Sequence, residues 1–184
     1  MAGSAERGEP TRESLGRAVC EVCEGLGSHV HAYTRESQAP DSMAGEAAID
    51  AAVANVASAP GGIDMLVVDG AGLFVAEGLH ECLAGAWDAT RAVVNGAFLH
   101  GGRGGRIVYL APSPAAGPQA DAAGAGLENL GRTLSTEWAR HGITVVTIAP
   151  GDGTPAGEVA ALCAYLASPA GAYFSGCLLD LRGP

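Results

Sequence analysis

Three short runs of mostly branched apolar residues, IDMLVV at 63–68, RIVYLA at 106–111 and ITVVTIA at 143–149, set the strongest limit on what this chain can become. None alternates cleanly between apolar and polar, so a strand made from any of them has no side suited to water. Such strands belong in a parallel sheet covered on both faces, and parallel neighbours need a crossover long enough to hold a helix.

The intervals between the runs carry helical spacing. Leu15, Val19, Val22 and Leu26 form one stripe over 15–26, with Gly27 placed to stop it. An Ala-rich helix with Ile49, Val53 and Val56 on one face ends at Pro60-Gly61-Gly62. Leu83, Trp87 and Val94 fall in register before the turn GGRGG at 101–105, and Leu127, Leu130, Leu134 and Trp138 line a helix from about Ala120 to Arg140. Val159, Leu162 and Leu166 mark a last helix, and a final strand runs from Cys177 to Leu181. SHVHAYT at 28–34 alternates and reads as a further short strand, followed by the link ESQAPDS. Strands alternating with helices predict an α/β fold: a truncated, Rossmann-like, doubly wound and mainly parallel sheet with flanking helices, in a single domain over 1–184.

Charge and composition exclude several function classes. The formal net charge is -10, with no lysine and ten arginines, which disfavours nucleic acid and anionic membrane surfaces. No apolar run approaches the roughly 20 residues that span a bilayer. The start, MAGSAERGEPTRES, lacks the apolar core of a signal peptide, so a cytoplasmic location is expected. Cys20 and Cys23 form a C-x-x-C followed by His29 and His31. Both cysteines lie inside the helix over 15–26, on its apolar side, whereas zinc sites draw on well-separated pairs and redox pairs open a helix after a strand. Buried, reduced thiols are expected there, with no metal bound.

Several segments resemble landmarks of the short-chain dehydrogenase/reductase family, in order and at the right spacing. GGIDMLVVDGAG at 61–72 is similar to its Asp-x-Leu-Val-Asn-Asn-Ala-Gly box, and GGRIVYLAP at 104–112 to the strand that ends in the catalytic serine. GLENLGRTLSTEWARHGITVVTIAPG at 126–151 resembles the long helix and the Pro-Gly that closes the cofactor site, and EVAALCAYLASPAGAYFSGCLLDLRG at 158–183 the closing helix and strand. The resemblance covers 61–184. It implies that 1–60 is a shortened, degenerate cofactor half.

The departures from the family pattern concern function. Where members carry Thr-Gly-x-x-x-Gly-x-Gly after a central apolar strand, this chain has Pro10 and Ser14 at the earlier glycine positions, Arg12-Glu13 in the turn, and the polar MAGSAERGE instead of a strand. Aligning Leu127 places Pro112 at the serine position, Ala120 at the tyrosine position and Gly124 at the lysine position. In the family the tyrosine exchanges a proton with the substrate oxygen, and the lysine lowers its pKa. Ser113 and Arg132 are the nearest substitutes, and Arg132 falls two turns from Gly124. The segment after Pro150-Gly151 is cut to DGTPAG, too short for a substrate lid, and Thr154 is expected to serve the turn. Outside these positions, Asp69-Gly70-Ala71-Gly72 at a strand end is the best-placed constellation, read first as a strand-ending turn. Tyr109 lies within a strand, and His141 is expected to be a charge partner at a helix C-terminus.

The reading that follows is a non-catalytic subunit with no catalytic, cofactor-binding or metal residues of its own. It would pair with a full-length, active homologue carrying NAD or NADP. The resemblance implies contacts through helices at about 80–98 and 120–140 and the segment 158–182, with small residues such as Ala120, Ala122, Ala123, Ala125 and Gly131 allowing close approach. Heteromeric members occur among hydroxyacyl-CoA dehydrogenases, including a paired-subunit enzyme of benzylsuccinate (toluene) degradation, which implies a hydroxyacyl or oxoacyl substrate for the complex. Two other readings stay open: a noncatalytic small-ligand or regulatory binding module, and an enzyme with noncanonical chemistry in a remodelled pocket.

Overall fold

A computed structural model describes residues 14–34 and 42–183. The elements are α1 (Leu15–Gly25), α2 (Ser42–Ala57), β1 (Met65–Val68), α3 (Gly70–Glu77), α4 (Leu79–Val93), α5 (Leu99–Gly101), β2 (Gly105–Leu110), α6 (Ala120–Glu137), β3 (Ile143–Pro150), α7 (Ala156–Ala167) and β4 (Cys177–Leu181). The four strands form one parallel sheet in the order β1-β2-β3-β4. The fold is α/β and Rossmann-like, with helices on both faces.

Register explains why the strand sequences are apolar throughout. Leu66, Ile107 and Val145 stand in one row, and Val68, Tyr109 and Thr147 in another, all facing α2, α3, α4 and α6. Met65 and the row of Val67, Val108, Val146 and Cys177 face the other way, against α1 and α7. Each strand therefore buries successive residues in two different cores. No position along it is free to be polar unless a partner awaits it. Thr147 is such a case, since its Oγ1 donates to the Leu127 carbonyl at 3.4 Å.

The crossovers do not all have the same hand. The connections β1 to β2 and β2 to β3 pass over the α4/α6 face, whereas β3 to β4 passes over the α1/α7 face while the sheet keeps growing in the same direction. The third crossover is thus opposite in hand to the first two, an uncommon arrangement for parallel strands. It places α7 beside α1, so that α1 has a helix to pack on.

Several local features differ from the expectation or add to it. Residues 28–34 form no strand: Ser28, His29, His31, Ala32 and Thr34 are exposed, Val30 is half-buried, and Tyr33 stays 49% exposed. Strand propensity alone cannot hold an extended segment that has no ladder to join. Cys20 and Cys23 are half-buried on α1 instead of fully enclosed. Gly78, at φ 87°, splits the helical region before β2 into α3 and α4, and a π turn over Val94–Phe98 follows α4. Trp87 is 44% exposed, although it shares helical register with the buried Val94. Of the small residues expected to serve a partner, Ala120, Ala123 and Gly131 are turned inward and let α6 lie close on the sheet, while Ala122 and Ala125 remain exposed. The stretch MAGSAERGE and most of the link ESQAPDS lie outside the described residues.

Burial also sets the alkaline limit of stability. Loss of solvent pushes the Cys82 thiol up to about 11 and the Cys163 thiol to about 12, against an ordinary 9.0. It pushes Tyr109 from 10.0 to about 12, although the hydroxyl shares a 2.8 Å hydrogen bond with Thr90 Oγ1. All three folded values lie above the unfolded ones, so their contribution is complete below pH 9.0 and lost as pH rises through 11 and 12. Denaturation midpoints measured against pH should begin to fall above pH 9.0 and continue to fall towards pH 12. A flat profile across that window would contradict the enclosure of these groups.

Candidate functional site

Open parallel sheets collect ligands beyond the C-terminal ends of their strands. Here that rim is formed by Asp69 and the start of α3 after β1, residues 111–119 after β2, and residues 151–155 after β3. The most connected group on it is Asp69. Its Oδ1 accepts the Gly72 N–H at 2.8 Å, capping α3, while Oδ2 accepts the Gly16 N–H at 2.8 Å and the Ser14 hydroxyl at 3.1 Å. One carboxylate thereby closes the N-termini of two helices that are far apart in sequence.

This contact needs glycine on both sides. A Cβ at Gly16 would stand 2.8 Å from Asp69 Oδ2, and one at Gly72 2.9 Å from the same atom. Gly70 is tighter still, where a Cβ would meet Leu127 Cδ1 at 2.6 Å and the Leu110 carbonyl oxygen at 2.8 Å. Residues 69–72 are therefore not the strand-ending turn expected of them but the N-cap and first turn of α3, packed closely against α1 and α6. An anion approaching α1 would find the Gly16 N–H and the positive dipole end already facing a carboxylate.

The positions that the family resemblance singles out do converge. Pro112, Ala120 and Gly124 line one cleft, together with Ala111, Ala149 and Leu178. Its volume is about 80 Å³, whereas small-molecule sites usually span about 300–1,000 Å³. None of the three side chains can give or take a proton. Asp121, Glu128 and Arg182 stand at the same cleft, but Arg182 is engaged, with Nε donating to Asp180 Oδ1 at 2.8 Å and Nη2 to Oδ2 at 2.6 Å. Those hydrogen bonds hold the Asp180 carboxyl down at about 2.

The remaining candidates are occupied structurally. Arg132 pairs with Glu128 at 2.6 Å and is absent from the cleft lining. Ser113 precedes the short 3-10 turn Pro114–Ala116, where its carbonyl accepts the Ala116 N–H. Thr154 Oγ1 accepts the Gly151 N–H at 2.8 Å and donates to the Leu181 carbonyl at 3.2 Å, fastening the shortened loop to β4. Tyr109 is fully enclosed within the sheet. His141 ends the 3-10 turn Ala139–His141, at the opposite rim from Asp69. All five thiols are free, and burial raises each above its ordinary value. Among the described residues no group of three or more His, Cys, Asp or Glu side chains is placed to hold a metal ion.

Two contacts had no sequence signal. Asp152 Oδ1 accepts the Ala115 N–H at 2.8 Å, joining the loops after β2 and β3, and Asp69 reaches α1 across more than fifty residues. Only the glycines at 16 and 72 hinted at a close approach. Comparison with protein-family models and with curated proteins returns no match to this chain.

Removing the shared cap should be costly. Asp69→Ala is expected to lose about 1–2 kcal/mol for a single cap, and more because α1 loses its partner too. Chemical denaturation measures the loss, and a change of only a few tenths would show that the carboxylate caps neither helix. Ala120→Tyr, which returns a phenol to the tyrosine position, should destabilise by about 1–3 kcal/mol or more through overpacking. Ala120 is only 1% exposed, so a stable variant would mean the cleft opens more than its geometry implies.

Proposed function

We propose that this chain is a non-catalytic subunit similar to short-chain dehydrogenases/reductases, which assembles with a full-length, active homologue that binds NAD or NADP. The observation that carries this reading is Asp69: its carboxylate sits on the N-terminus of α1, where a dinucleotide pyrophosphate would need the same N–H groups. The narrow cleft lined by Pro112, Ala120 and Gly124 supports it from the chemical side, because none of those three side chains can move a proton. The partner performs the hydride transfer, on a hydroxyacyl or oxoacyl substrate by the resemblance. This chain supplies interface.

The surfaces offered for that role are α4 with its outward Trp87, the outer side of α6, and the region 158–182. The last of these presents Tyr165 at 45% exposure and Tyr173 at 92%, and the Tyr165 ring meets Phe174 edge to face at 6.0 Å. Exposed aromatic side chains on rigid helices are what a protein interface draws on.

Titration of the isolated chain with NADH and NADPH, followed by calorimetry and cofactor fluorescence, should show no saturable binding. Saturation would favour an enzyme with noncanonical chemistry and overturn the proposal. Co-expression with a full-length homologue from the same cell should yield a mixed oligomer by native mass spectrometry. Recovery of this chain only with itself would count decisively against a subunit role.

A further inference from the structure

One edge of the sheet is β1, and its outer side is open. The register of β1 on β2, in which the Asp64 carbonyl accepts the Arg106 N–H at 3.0 Å, turns the backbone groups of Asp64, Leu66 and Val68 towards β2. Met65 and Val67 therefore point their N–H and C=O groups away from the sheet. Among the described residues these groups have no hydrogen-bond partner. The strand reads MLVV, with none of the charged residues, proline or bulge that blunt a sheet edge.

The helix beside this edge is small and uncharged on the side that matters. On its face of the sheet α2 packs on α4, which in turn packs on α6, so α2 is the outermost helix on the β1 side. Glu46 and Asp50 of α2 lie on the flank towards α4, where Arg91 Nη2 pairs with them at 3.8 and 3.2 Å. Helical spacing puts Ala48, Ala52 and Asn55 on the opposite flank, with Ala48 and Asn55 exposed. Asp64, just before β1, pairs with Arg103 at 3.2 Å. The carboxylates that α2 and the approach to β1 bring to this edge are thus paired within the chain, which lowers the repulsion expected between two copies of net charge -10.

We propose that a second copy of this chain docks on the β1 edge, antiparallel to it, joining two four-stranded sheets into one. A two-fold axis normal to the sheet and centred on Leu66 sets Met65 of one copy against Val67 of the other. Each such pair exchanges two N–H···O bonds, so every outward group of the two residues finds a partner. The same axis lays α2 beside its copy, with Ala48, Ala52 and Asn55 at the seam, where small side chains permit close helix approach. The pairing uses neither α4, nor the outer side of α6, nor 158–182, so it stands or falls independently of the subunit reading.

Sedimentation and native mass spectrometry of the isolated chain over a concentration series test this, together with hydrogen exchange at the Met65 and Val67 amides. A dimer should form, and exchange at both amides should slow as it does. Val67→Pro deletes an outward N–H and leaves the β2 ladder in place, so the dimer dissociation constant should rise by about 10-fold or more, for two hydrogen bonds lost per dimer. Ala48→Glu, an exposed change, should also weaken the dimer by setting two carboxylates at the seam, and it stands in if the proline variant does not fold. Ala122→Glu, exposed on α6 with the same change in charge, should leave the dimer unaltered. Three results would each overturn the proposal: a chain monomeric throughout, slow exchange at Met65 and Val67 at every concentration because the chain's own residues cover the edge, or a dimer weakened by Ala122→Glu and not by Ala48→Glu.

Discussion

A parallel sheet has two apolar faces, and the rest of this chain is arranged around covering both. Leu66 and Val68 look one way from β1 while Met65 and Val67 look the other, and the alternation repeats through β2 and β3. Four helices close one face, but α1 and α7 alone close the second among the described residues. That economy explains the reversed crossover to β4. If α7 lay on the same face as α4 and α6, Val108, Leu110, Val146 and Ile148 would lose the cover that α7 gives them. At roughly 25 cal/mol per Å² of apolar surface, leaving such a face wet would outweigh any preference for crossover hand.

Asp69 connects that packing to function. In a nucleotide-binding sheet the N-terminus of the first helix is kept open for a ligand, with its N–H groups and dipole end unserved. Here a side chain from the end of β1 fills that role and holds α1 to α3. The same carboxylate that caps α3 engages the Gly16 N–H at the start of α1. The cleft bordered by Pro112, Ala120 and Gly124 is narrow, since α6 lies close over Ala111 and leaves little room. The fold rests on covering both faces of the sheet, and the rim beside this cleft carries small residues together with the Arg182–Asp180 ion pair.

Much of the architecture was readable because burial imposes periodicity. The runs at 63–68, 106–111 and 143–149 became β1, β2 and β3, and the stripes through Leu127 and Leu134 and through Val159 and Leu166 became α6 and α7. Residues 28–34 misled because alternation states only which strand a segment could make, not whether a neighbouring ladder exists for it. Trp87 misled for a related reason: helical register identifies a stripe, but not where the stripe leaves the core.

The chain by itself determined the fold class, most helix and strand identities and the absence of any proton-transfer group in the side chains of Pro112, Ala120 and Gly124, since these follow from local spacing and residue chemistry. Only the tertiary structure decided that those three positions share one narrow cleft and that Asp69 closes α1. Such meetings depend on strand order and crossover hand, and these are set by how two apolar faces are covered at once, a condition no single segment contains.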